Sequence, residues 1–377
     1  MSVAESATNR VQDAARAAAD WVVRLDRGTK VVGGLGTLFL VAFLAAFTLG
    51  NTLAWVPLVG FVAANAFGAF RYPGATARYL AFVATACTVL VLGLIMVYLF
   101  LRSREAFGLM SHHVSLFGVS FDVPGLRMFT DTSSPFWTPS QQLYALAPML
   151  WGTFVTTLIA TAVAGPLGVA GALFISEMAP GWAREILKPS VETLAGIPSI
   201  VYGFIGFIVL SGFMMDEFSL PTFGSLVVVG FVIGVMALPT VVSVAEDAIA
   251  SVPGEMKDGS LALGATSWQT TTSVTLPASL SGVSAAILLG VGRAVGETMA
   301  ATVILANLTE LPDPLYDVFG STITLTSLIA SQYGIATGSQ MSALFAAGVV
   351  LFVTVLALSI GSQYIEARMN RKLGGQE

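Results

Sequence analysis

Charge is scarce in this chain. Of its 377 residues only 10% are Asp, Glu, Lys or Arg, where a soluble protein carries roughly 25%. There is one cysteine, Cys87, and it lies inside an apolar run. That excludes a disulfide framework and a thiolate metal site, and no metal is expected here. The two histidines, His112 and His113, are neighbours in a loop, so no Ser–His–Asp nucleophile set is credible. No GxxxxGK[ST] stretch occurs, so the chain has no phosphate-cradling loop for ATP. Acids do not cluster within the apolar runs, which argues against a proton relay. What remains is apolar: 55% of residues are hydrophobic and the mean hydropathy is +0.82. Such a composition belongs to a polytopic membrane protein. The net charge of −5 says little for a chain that lies mostly in lipid. No cleavable signal peptide is expected, because residues 1–30 are charged and Ala-rich and apolar character starts only at Val31.

About 30 Å of hydrocarbon requires roughly 20 residues of helix. Six strong apolar spans fall at 79–101, 148–176, 194–214, 223–245, 279–306 and 341–365. Two weaker, Gly-rich spans at 31–50 and 53–70 are parted only by Asn51-Thr52 and read as a tight transmembrane hairpin, with a shallow one as the alternative. The expected fold is therefore an all-α bundle of eight transmembrane helices with both termini on one side. No sequence-level repeat is visible.

The basic residues orient that bundle. With the N-terminus inside, the cytoplasmic segments hold the leader's Arg10, Arg16, Arg24, Arg27 and Lys30, then Arg71, Arg78, Arg184, Lys188 and Lys257, and the tail's Arg368, Arg371 and Lys372. The opposite side holds only Arg102, Arg104 and Arg127. Its segments 215–222 and 307–340 have acids and no base. Segment 102–147, rich in Phe, Ser and Pro, reads as an external cap or a mobile linker. Segment 307–340 holds TLTSLIASQYG, too short and too polar to span.

Residues 246–277 are polar yet helical in rhythm. Ile249, Val252, Met256, Leu261 and Leu263 recur at helix-like intervals, Gly264 breaks the run, Ala265–Ser273 resumes it, and Leu276-Pro277 closes it. A helix–Gly–helix elbow on the cytoplasmic side is a handle for a soluble partner. The alternative is an amphipathic loop lying on lipid. Four acids (Glu246, Asp247, Glu255, Asp258) against one base, Lys257, would be repelled by an anionic leaflet.

Span 279–306 contains GVGRAVGETMA. An Arg or a Glu at the centre of a membrane helix costs about 2.5–3.5 kcal/mol each on insertion scales, so both face protein or water. On a continuous helix Arg293 and Glu297, at i and i+4, share one face, with Thr298 beside them. Gly292 and Gly296 make GxxxG, a surface for close helix approach. One reading is an anion path in which Arg293 presents a planar fork to an oxyanion and Glu297 holds or competes with it. The other is a buried ion pair that pins helices. In span 194–214, Gly196, Pro198, Gly203 and Gly206 allow a kink near its cytoplasmic start, suited to a gate or to tight packing.

These segments carry a family resemblance. Residues 246–277 resemble the cytoplasmic coupling loop of ABC-importer permeases, with pattern EAA, three residues, Gly, nine residues, Ile-x-Leu-Pro. Here Asp258, Gly259 and Ser260 fall on EAA, Gly264 takes the glycine, Val274 the Ile, and Leu276-Pro277 the close. PLGVAGALFISEMAP, LAGIPSIVYGFIG, ALPTVVSVAEDAI and GRAVGETMA are similar to the PstC-type permeases of phosphate ABC importers, and together cover most of 147–366. Residues 1–75 have no such match. The resemblance implies a type I importer core of six helices, the first in 76–147 with its external loop and the other five in 148–366 with the coupling loop 246–277. Residues 1–75 would add the leader and an extra hairpin, and 367–377 a cytoplasmic tail. It implies a non-catalytic subunit that binds no cofactor, with ATP-Mg on a partner ATPase. It implies a second, PstA-like permease, two ATPase copies and an extracellular phosphate-binding protein, with membrane lipid around it and no nucleic acid. Ala262, Leu263, Gly264 and Ala265 would sit in the ATPase groove, and Arg293, Glu297 and Thr298 would line the anion path. Sulfate, a phosphonate, a stand-alone secondary anion carrier and a non-transporting membrane scaffold stay open as alternatives.

Overall fold

A computed structural model describes residues 26–116, 119–218, 220 and 224–372. Residues 1–25 of the leader expected over 1–30, and the last five residues of the tail, lie outside the described residues. The chain divides into two units, Met1–Met96 and Val97–Glu377.

In the first unit, α1 (Arg27–Thr48) and α2 (Trp55–Arg71) form the hairpin, and α3 (Pro73–Leu109) begins. Asp26 caps α1 by accepting from Thr29 N at 3.3 Å. The Thr29 hydroxyl bond holds the Asp26 carboxyl below its ordinary pKa. Small residues set the packing: a Cβ at Gly60 would lie 2.5 Å from the Phe39 ring, and one at Gly68 2.5 Å from Thr76 Oγ1. At a rise of 1.5 Å per residue the 17-residue α2 is about 25 Å long. Among the described residues seven helices are long and apolar enough to cross a membrane, and α2 is shorter than these. The expected eight spans thus become seven full-length ones plus one short helix.

The second unit continues α3 and then folds 112–144 into two short antiparallel hairpins, β1 (His112–Leu116) with β2 (Val119–Val123) and β3 (Trp137–Thr138) with β4 (Leu143–Tyr144). The short α4 (Leu126–Thr130) lies between them. These short hairpins are local additions to the expected helical fold. The segment is a packed cap rather than a linker: Met128, Phe136, Trp137 and Tyr144 are buried, and Tyr144 Oη lies 3.0 Å from Ser339 Oγ.

Helices α5 (Ala147–Leu173, prolonged by a π turn Phe174–Met178), α6 (Gly181–Ala195), α7 (Ser199–Ile205), α8 (Gly212–Phe218) and α9 (Leu226–Ala250) follow. A π turn, Gly206–Ser211, joins α7 to α8, so the span runs Ser199–Phe218. Then come α10 (Gly254–Ala262), α11 (Ser267–Thr270), α12 (Leu276–Val295), α13 (Met299–Ile304), α14 (Leu325–Gln332) and α15 (Gly338–Lys372). The centre of the unit is α9, with 61% of its most apolar window buried against at most 33% for any other span. It meets α5 through glycines on both helices. A Cβ at Gly230 would lie 2.6 Å from Ile159 Cβ, and one at Gly168 2.6 Å from Val241 Cγ1. In lipid, helix contact comes from such close van der Waals approach rather than from expelling water.

Candidate functional site

The elbow forms as its residues dictate. Helix α10 ends at Ala262, and Gly264 takes φ +87°, a region that only glycine enters without cost. A Cβ there would meet nothing within 4 Å, so backbone conformation and not space demands the glycine. Thr266 then opens α11 with a capping box: its hydroxyl accepts from Gln269 N at 3.2 Å, and Gln269 Oε1 accepts from Thr266 N at 2.9 Å. Leu263 is 91% exposed and Trp268 62%, so the elbow presents large apolar groups outward. Asp258, Gly259 and Ala262 are exposed, Ala265 is half-buried, and Ser260 bonds the Thr270 hydroxyl at 3.0 Å. Leu276-Pro277 does not close the segment as expected. The helix runs unbroken from Ser267 to Val295. A π turn, Thr271–Thr275, precedes Pro277, and such a turn accommodates a proline's missing N–H and its ring.

Two ionic ties fasten the elbow's flanks, and sequence reasoning missed both. Glu177, in the π turn after α5, pairs with Lys257 of α10 at 2.7 Å, both side chains mostly buried. Lys188 of α6 bridges Glu246 at 2.5 Å and Asp247 at 3.1 Å at the end of α9. The bond to Glu246, then that to Asp247, raises the Lys188 pKa, so the lysine stays charged at neutral pH. The only hint in the sequence is that bases are few in these segments.

The span expected over 279–306 is broken. Helix α12 ends at Val295, residues 296–298 leave the helix, and α13 starts at Met299. A Cβ at Gly290 would lie 2.6 Å from Val241 Cγ2, so α12 stops beside the middle of α9. Arg293 and Glu297 therefore do not share a continuous face, and no ion pair joins them among the described residues. Glu297 instead turns to α13: its Oε1 accepts from Ala300 N at 3.1 Å, and its carbonyl accepts from Thr326 Oγ1 at 2.7 Å. Thr298, half-buried, accepts through its carbonyl from Thr302 Oγ1 at 2.7 Å. Arg293 turns the other way, donating from Nη1 to Thr240 Oγ1 at 3.4 Å. It borders a cavity of ≈ 570 Å³ between α9, α12 and α15, lined also by Gly292, Leu288, Ser359 and Gln363.

Two glycine expectations need correction. Among the described residues no helix packs on Gly292, since a Cβ there meets nothing within 4 Å, and Gly296 is the C-cap of α12. The close approach is at Gly290 instead. Likewise Gly196 caps the end of α6 and Pro198 begins α7, so 194–196 belong to the preceding helix. Gly203 and Gly206 serve packing: a Cβ at Gly203 would lie 3.0 Å from Ala300 Cα, and one at Gly206 2.6 Å from Ile304 Cδ1. They seat α7 and the π turn after it on α13.

A bundle of membrane-length helices with a cation at a helix break and an outward elbow fits a membrane transport subunit. The family model described as binding-protein-dependent transport system inner membrane component matches residues 164–371. The probable ABC transporter permease protein YqgH of Bacillus subtilis (strain 168) is 39% identical over 253 residues, 66% of this chain and 81% of that protein. The phosphate transport system permease protein PstC of Xylella fastidiosa (strain 9a5c) is 34% identical over 274 residues, 68% and 83% of the two chains. A solved bacterial ABC transporter for import of the acidic polysaccharide alginate superposes with TM-score 0.51 at 16% identity, over 78% of this chain and 96% of that one; at that identity it supports the fold alone. The chain belongs to the binding-protein-dependent transport system inner membrane component family. It is a multi-pass membrane protein and a permease subunit of an ABC transporter, working with other subunits.

Proposed function

We propose that this permease forms half of the translocation pathway of an ATP-driven inorganic phosphate importer. The observation that carries this is Arg293. A permanent cation at a mid-bundle helix break, on a cavity and without a carboxylate partner among the described residues, is costly unless an anion visits it. The substrate class follows the phosphate permeases among its relatives. Both termini lie in the cytoplasm, as does the elbow. A PstA-like permease pairs with this chain, two ATPase copies bind ATP-Mg, and an extracellular phosphate-binding protein delivers the ion. This chain itself hydrolyses nothing. Leu263, Gly264 and their neighbours dock in the ATPase, and closure of the motor pulls α10 and α11. The pull passes along α9 and α12, which leave the elbow on either side, and the cavity alternates between the two faces.

The test is phosphate uptake by vesicles carrying the co-purified complex. Arg293→Gln and Arg293→Lys should abolish uptake while the subunits still co-elute. Wild-type uptake by an assembled Arg293→Gln complex refutes the anion role. Uptake of sulfate but not phosphate by the wild type would reassign the substrate.

A further inference from the structure

The cavity beside Arg293 has three walls of different character. On α12 the lining residues Ala285, Leu289 and Gly292 are apolar and recur at helical spacing. On α9 the lining residue is Thr240, whose hydroxyl oxygen accepts from the guanidinium. On α15 the lining residues Val355, Ser359 and Gln363 sit four apart, hence on one face, and that face turns two polar side chains toward the cavity. Among the described residues neither Ser359 nor Gln363 makes a side-chain hydrogen bond.

A tetrahedral oxyanion has more oxygens than one guanidinium edge can hold, since the planar fork engages two. The others need neutral donors. A hydroxyl that accepts from Arg293 keeps its own hydrogen free to donate, so Thr240 can both aim the fork and add a donor. Ser359 supplies a second hydroxyl. Gln363 supplies an amide N–H₂ and also a carbonyl acceptor. An acceptor is useful only for an oxyanion that still carries a hydroxyl hydrogen, which phosphate does at neutral pH and sulfate does not.

We propose that Thr240 positions Arg293 and that Ser359 and Gln363 of α15 form the facing half of one oxyanion subsite, selective for an anion bearing a hydroxyl. This rests on the phosphate-importer reading and extends it to a helix that reading does not use.

The experiment measures phosphate uptake by the co-purified complex in vesicles, with kcat and KM separated and sulfate as competitor. A lost hydrogen bond to a charged group corresponds to roughly tenfold in affinity. Thr240→Val should raise KM for phosphate about tenfold with a smaller effect on kcat, and Thr240→Ser should restore it. Ser359→Ala combined with Gln363→Leu should raise KM similarly and let sulfate compete. Gln363 is exposed, so Gln363→Glu should assemble and repel the anion, abolishing uptake. Unchanged KM in Thr240→Val and in the Ser359/Gln363 pair, beside an inactive Arg293→Gln, overturns the subsite and leaves the importer reading standing. An active Arg293→Gln overturns both.

Discussion

Replacing Gly264 separates two reasons for a glycine at the elbow. Its φ of +87° costs an ordinary L-residue about 1–2 kcal/mol, while the space around it is empty within 4 Å. The penalty is therefore conformational, and it follows backbone tolerance rather than side-chain volume. Asn enters the left-handed region more readily than Ala despite its larger size, and β-branched Val least of all. The expected order of retained coupling is Gly, Asn, Ala, Val. A cost of 1–2 kcal/mol lowers the population of the native elbow by a factor of about 5–30. Thermal stability of the helical bundle should change little, because nothing packs on Gly264. The assay is substrate-stimulated ATP hydrolysis by the co-purified complex, with subunit co-elution measured alongside. If Ala outperforms Asn, the groove of the partner sets the glycine by volume and the conformational argument fails. If all three variants couple like the wild type, the elbow is not the point of transmission.

Three further outcomes follow from contacts elsewhere. Gly203→Val should destabilise the detergent-solubilised chain by about 1–3 kcal/mol, because its Cβ would press on the Ala300 backbone; Gly292→Ala, with open space, should leave the melting temperature unmoved, and equal effects would refute this packing scheme. A double-mutant cycle on Lys257→Met and Glu177→Gln should return a coupling above about 1 kcal/mol, because both side chains are mostly buried; a coupling near zero removes the tie. In intact cells Tyr316→Cys should react with an impermeant thiol reagent and Leu263→Cys should not, both positions being highly exposed; the reverse pattern overturns the orientation.

The bundle was legible because lipid asks one simple thing of a span: enough consecutive apolar residues to cross with every backbone group bonded internally. That criterion located α3, α5, α9 and α15 well. It is blind to backbone breaks inside an apolar run, which is why 279–306 reads as one helix. The stretch Gly296-Glu297-Thr298 did carry a signal, since a glycine can end one helix and an acid just ahead of MAATVI can cap the next. That signal competes with an equally good pattern, GxxxG with Arg and Glu at i and i+4, and both of those presuppose the continuous helix that is absent. The elbow was legible because its determinant is local, one glycine between two helical rhythms. The ties Glu177–Lys257 and Lys188–Glu246 join residues 80 and 58 positions apart, and no spacing rule reaches that far.

The break at 296–298 also changes what the two charged residues can do. On an unbroken helix Arg293 and Glu297 would neutralise each other, and an anion would have to compete with a carboxylate a few ångströms away. Here the peptide chain turns between them. Glu297 is spent on Ala300 N at the start of α13, where a negative charge also suits the helix dipole. Arg293 is left on the cavity with a neutral hydroxyl as its neighbour. A guanidinium held by a hydroxyl keeps its charge uncompensated and all but one of its five donors for a passing ligand, whereas one paired with a carboxylate has its charge offset and up to two donors engaged. The stabilisation of α13 and the availability of the cation thus come from the same three-residue interruption. Restoring helix through it, by Gly296→Ala with Thr298→Ala, should draw Glu297 back toward Arg293 and weaken phosphate uptake without removing either charge. Undiminished uptake in that assembled variant would show that the separation of the two residues is incidental.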